Sequence, residues 1–96
     1  MTTAVLRASL TNAAPPDGLA PTVQALWWAA KGEWDQAHKI VQDDESREAA
    51  WVHAYLHRVE GDLPNARYWY STAGRPVANG ALEDEWTAIA AALLAR

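Results

Sequence analysis

Residues Ala50–Pro76 read AWVHAYLHRVEGDLPNARYWYSTAGRP, and the fold turns on how this stretch is parsed. It contains two of the three histidines, two of the six tryptophans and all three tyrosines. Gly61 interrupts a helical pattern, Asp62 can cap a second one, Pro64 suits its first turn, and Gly74 with Pro76 stops it. The stretch is therefore a helix, a tight turn, a second helix and a stop. The flanks extend the pattern. QDDESR at 42–47 is a polar joint where Asp44 or Ser46 caps the helix that ends at Glu60, with Glu48 adding favourable charge to its first turn.

Upstream, a helix is predicted from Pro21 to Lys31, with Val23, Leu26, Trp27 and Ala30 on one stripe and Trp28 off it. A second runs from about Glu33 to Gln42 with Trp34, Ala37 and Val41 inward, and the short connection at Gly32 forces an antiparallel hairpin. Downstream, Asn79–Gly80 forms a turn before a fifth helix at about 81–95, acidic at its start and striped by Leu82, Trp86, Ile89 and Leu93. Residues 1–18 read as a loose or docked arm: AVLRASL at 4–10 could supply a turn or two of helix, and the prolines and glycine of TNAAPPDG end it.

Composition sets the outer limits. Ninety-six residues make a single domain, rich in alanine and poor in β-branched side chains, which favours helix. The net charge of −4 and the scattered basic residues exclude the basic face of a nucleic-acid binder. No apolar run approaches the ~20 residues needed to cross a bilayer. The N-terminus, with one arginine and no long apolar core, does not read as a signal peptide. Cysteine is absent, so disulfide and thiol chemistry are too, and a soluble cytoplasmic protein is expected.

The two hairpins repeat one another. GEWDQAHKIV at 32–41 aligns with GDLPNARYWY at 61–70, pairing Gly32 with Gly61, Ala37 with Ala66 and Val41 with Tyr70. ALWWAAK at 25–31 aligns with AYLHRVE at 54–60, a period of 29 residues. Ala54, His57, Gly61, Ala66, Tyr70 and Ala73 follow the wording of tetratricopeptide repeats, which the chain resembles over about Pro21–Pro76. Ala25, Trp28, Gly32, Ala37 and Val41 do so in the first copy. The departures are His57 in an aromatic's place, Asp44 at the last small position, and a period shorter than the usual 34. The second copy is also similar to small bacterial proteins of unknown function.

The resemblance implies an all-α fold of five helices, two antiparallel hairpins at 19–76 closed by a C-terminal cap at 80–96. It also implies a protein-interaction or scaffolding role without catalysis, with a protein or peptide partner; separately, a small domain with six tryptophans could self-associate to cover surplus apolar surface. In such arrays one face of each first helix lines a groove, here Trp51, Tyr55 and Arg58, residue types common at binding hot spots. Either that groove is open, or the fifth helix or the N-terminal arm fills it.

A second constellation competes. His53, His57 and Glu60 fall within about 60° of one another on a helical wheel. Two imidazoles and a carboxylate could serve a metal, a small ligand or acid–base chemistry. The preferred reading is a buried polar network satisfied by Tyr68, Tyr70, Asn65 or Ser71 of the next helix, ahead of a ligand contact and of a metal or catalytic site, and no metal ligand or cofactor is assigned. No H-E-x-x-H order, phosphate loop, nucleophile elbow or cofactor motif accompanies them, and no residue is assigned to catalysis. His38 lies on a different helix. Arg47, Arg58, Arg67 and Arg75 are read as separate solvated or paired arginines in preference to an anion site.

Overall fold

A computed structural model describes residues 1–96. The chain is all-helical: α1 (Thr3–Ala8), α2 (Pro21–Ala30), α3 (Trp34–Val41), α4 (Arg47–Val59), α5 (Leu63–Ala73) and α6 (Leu82–Leu94), with a 3-10 turn at Ser9–Thr11 after α1. No helix is long and apolar enough to cross a membrane.

Six helices stand where the sequence suggests five, and the extra one is α1, in the segment read as an arm. Its formation is a tertiary effect, because six residues cannot sustain a helix alone. Thr2 caps it through Oγ1, Leu6 is wholly buried, and Arg7 reaches Glu83 and Thr87 on α6. Ser9 Oγ accepts from Trp27 Nε1 at 3.0 Å, and Lys31 Nζ donates to the carbonyls of Leu10 and Asn12. The arm is docked at least as far as Asn12.

The chain punctuation operates as local chemistry demands. Ser46 Oγ accepts from the Ala49 N–H at the start of α4, and Asp62 Oδ1 accepts from that of Asn65 at the start of α5. Gly32 and Gly61 take φ of +80° and +83° in the two hairpin turns, a region costly for any residue with a Cβ. α2 packs on α3 and α4 on α5, while α3 and α4 join the two hairpins side by side. Ala37 and Ala66 are buried at the closest approaches.

α6 lies against both α2 and α4. Trp86 Nε1 donates to the Leu26 carbonyl at 2.8 Å, so the largest side chain of the cap satisfies its one polar atom on α2. Ile89, Ala90 and Leu93 complete the buried stripe, whereas Leu82, also expected there, is exposed. The main core gathers Leu6, Val23, Leu26, Trp27, Val41, Val52, Leu56, Trp86 and Ile89 from α1, α2, α3, α4 and α6. Ala30, read as part of the α2 stripe, faces solvent.

Candidate functional site

The groove face of α4 is covered. Tyr55 is buried, and Arg58 donates to Glu85 Oε1 on α6 at 2.9 Å and to the Gly80 carbonyl. Tyr70 of α5 donates its hydroxyl to Glu85 Oε2. Trp51 remains half-buried, with the Arg75 guanidinium stacked 3.8 Å above its ring. α6 and the 75–81 segment thus cover Tyr55 and engage Arg58 in an internal ion pair, while Trp51 borders a cavity of about 350 Å³ left between them.

The other face of α4 carries the histidines, and there α3 contributes what was not foreseen. His38 Nε2 lies 3.1 Å from His53 Nε2. The rings of His53 and His57 stack at 4.8 Å, as expected for neighbours one turn apart. One ligating nitrogen from each of His38, His53 and His57 falls within 4.8 Å of the others. His38 therefore belongs with the pair that sequence spacing selects. A signal existed in the repeat: His38 follows Ala37, the close-packing position of a helix that a stacked array must lay against α4.

Two indoles wall the cluster. Trp34 stacks on His38 at 4.7 Å and Trp69 on His53 at 3.9 Å. Trp34 Nε1 is occupied by the Leu56 carbonyl at 2.7 Å, so its ring is fixed. Enclosure costs the imidazolium form its hydration. Burial, reinforced by His38 and His57, holds the His53 pKa down to about 4, and burial followed by His57 lowers that of His38. Both rings are accordingly neutral at pH 7, the form in which imidazole offers a lone pair.

Glu60 completes the cluster from the last turn of α4. His57 Nδ1–H donates to Glu60 Oε1 at 2.6 Å, which fixes the ring so that Nε2 is the nitrogen left outside that bond. A carboxylate fixing the tautomer of a neighbouring histidine is the usual support behind a metal ligand. Glu60 is half in solvent, and with Asp62 it forms a second group of possible ligands around His57.

Hydrogen bonding within the protein does not satisfy this cluster. Between His38 and His53 one Nε2 holds the shared proton, and His53 Nδ1 is buried with no partner. Such an atom costs about 1–3 kcal/mol wherever it persists. The partners expected on the next helix are turned elsewhere. Tyr70 bonds Glu85, Asn65 bonds Asp62, and Tyr68 is 59% exposed, edge-on to Trp69. Tyr68 is thus no member of the imidazole network.

Chemically, three imidazoles and a nearby carboxylate form a donor set for a borderline divalent ion. None of the larger surface cavities is lined by an imidazole, and one of about 620 Å³ is bounded by Asp62 and Trp69 at the edge of the cluster. Compared with protein-family models, with curated proteins and with solved structures, the chain matches none.

Proposed function

We propose that the protein is a small metal-binding helical-hairpin module, with His38, His53 and His57 as ligands for a zinc-class divalent ion and Glu60 as support or fourth ligand. The observation that carries this reading is the convergence of one ring nitrogen from each of three imidazoles, on α3 and α4, within 4.8 Å. Zn–N bonds of about 2.0–2.1 Å at a tetrahedral angle separate two nitrogens by about 3.4 Å, so a pair at the 4.8 Å limit needs to close by about 1.4 Å. The 3.1 Å His38–His53 spacing already suits one edge of that tetrahedron. Enclosure by Trp34 and Trp69, with no imidazole lining a larger cavity, favours a closed structural or sensing site over a catalytic one.

Isothermal titration of the tag-free protein with Zn2+, and visible absorption with Co2+, test the reading. One ion per chain is expected, with the absorption of tetrahedral Co2+. Changing His38, His53 or His57 to Gln lowers affinity by about 100-fold or more, and Glu60→Gln by about 10–100-fold. Absence of stoichiometric binding, or binding indifferent to His53→Gln, overturns it.

The scaffold under this site is read as a pair of tetratricopeptide-like hairpins. The matched positive-φ glycines 32 and 61 and the buried Ala37 and Ala66 support it. The interaction role that such hairpins imply keeps one specific support. Leu63 and Val77, both about half exposed, share a shallow cavity of about 300 Å³ between α5 and the 75–81 segment. A second copy of the chain is the occupant that this reading tests first. Sedimentation should show concentration-dependent dimers that Leu63→Asp abolishes, and a chain monomeric at all concentrations removes self-association.

A further inference from the structure

The chain carries twelve acidic and eight basic residues, so any basic concentration runs against its composition. One exists beside the hairpin end, far in character from the histidine cluster. A cavity of about 390 Å³ is bounded by Arg47, Glu48, Trp51, Gly74, Arg75 and Arg96, with Ala73 in its wall. Three of the six arginines meet there, opposite a single acidic side chain.

That carboxylate is already taken, because Glu48 pairs with Arg96. Arg47 and Arg75 enter none of the ion pairs, and neither guanidinium donates a side-chain hydrogen bond within the protein. Each guanidinium brings five N–H donors in a planar fork suited to two oxygens at once. Arg75 is held by its stacking on Trp51 at 3.8 Å, which fixes the plane of the fork without consuming its donors. Arg47 stands in the first turn of α4, and its Nη1 lies 4.0 Å from the point where a Cβ on Gly74 would sit. Gly74 itself is required by the left-handed φ of +70° that ends α5, and it borders the cavity beside Arg47.

We infer that this cavity is an oxyanion site, built to receive a phosphate or carboxylate group between Arg47 and Arg75. Arg96 stands behind them, restrained by Glu48. Two unpaired forks at one opening repel each other, and an oxyanion between them converts that repulsion into charge-assisted hydrogen bonds. Solvated arginines with no common ligand are the competing description, and they require neither the stacking on Trp51 nor the exclusion of every acid but Glu48.

Calorimetric titration with inorganic phosphate and, separately, with acetate and citrate decides it, at constant ionic strength of about 0.15 M. One oxyanion class should saturate at one per chain while chloride does not, and the class that binds names the source. Arg47→Gln and Arg75→Gln should each weaken binding about tenfold or more. Arg67→Gln, outside the cavity, should leave it unchanged. Glu48→Gln should tighten binding about threefold by releasing Arg96, a gain that damaged folding cannot mimic. No saturation by any of the three anions, or saturation unaltered by Arg47→Gln and Arg75→Gln, overturns the inference.

Discussion

A carboxylate at 9% exposure loses most of its hydration, and Glu85 offsets that loss by accepting from Arg58 and Tyr70 together. The three residues belong to α6, α4 and α5, so one ion carries polar satisfaction across three helices. Glu85→Gln should therefore cost about 3–5 kcal/mol in urea unfolding, since Arg58 would be left buried without a counter-charge. Tyr70→Phe should cost about 1–3 kcal/mol, leaving one lone pair unmet. If Tyr70→Phe proves the more damaging, the ion pair is not the main tie. The same surroundings hold two phenols neutral. Burial, with Glu85 behind it, pushes the Tyr55 pKa up to about 12, and burial with the Glu85 hydrogen bond raises that of Tyr70 further. A folded pKa above the unfolded value near 10 means that the unfolded chain releases its protons first. Their contribution is complete below pH 10 and is lost as pH climbs toward 12. Urea midpoints should fall over that window, and less steeply in Tyr55→Phe; an unchanged slope in that variant refutes the assignment. At this scale the sequence was readable in part. Periodicity selects His53 and His57 because one helix fixes their spacing. It cannot show that Arg58 is consumed by Glu85, a residue 27 positions away.

Helices with strong punctuation were legible, because glycine, proline and capping side chains act within a few residues of themselves. The turns at Gly32 and Gly61 and the stop at Gly74 follow from local backbone chemistry alone. α1 had no such support. Its six residues are helical because Leu6 enters a core assembled by α2, α4 and α6, and Arg7 finds acceptors on α6. Leu6→Ala tests this account directly, by denaturation monitored through the tryptophans. A docked helix predicts a loss of about 2–5 kcal/mol, the usual range for emptying a buried leucine site. A value within about 0.5 kcal/mol of zero would match a solvated arm instead. Similar reasoning explains the covered groove. Whether α6 crosses the α4 face is a matter of how the chain returns through residues 75–81, which no pattern inside α4 records.

Taken as a whole, the molecule is two hairpins with unequal reasons to stay together. α6 ties α2 to α4 along one side through Trp86, Ile89 and Leu93. On the other side α3 meets α4 through the buried Ala37 and Val41 and, beside them, through the polar His38–His53 contact. An ion held by His38 from one hairpin and by His53 and His57 from the other would close that side. It would stabilise the folded chain by mass action, by about 2.7 kcal/mol when free metal exceeds the dissociation constant 100-fold. For a domain of this size, each kcal/mol moves the melting temperature by about 4–8 °C. Zn2+ should thus raise the melting temperature of the chelator-treated protein by about 10–20 °C. His38→Gln is the discriminating variant, because it removes the only ligand supplied by the first hairpin while leaving α4 intact. Its Zn2+-dependent shift should fall to a small fraction of the parent's, and amide exchange in α3 should no longer slow when metal is added. A full shift retained in His38→Gln would place the ion on the second hairpin alone, at His57, Glu60 and Asp62, and would dissociate metal binding from the joining of the hairpins.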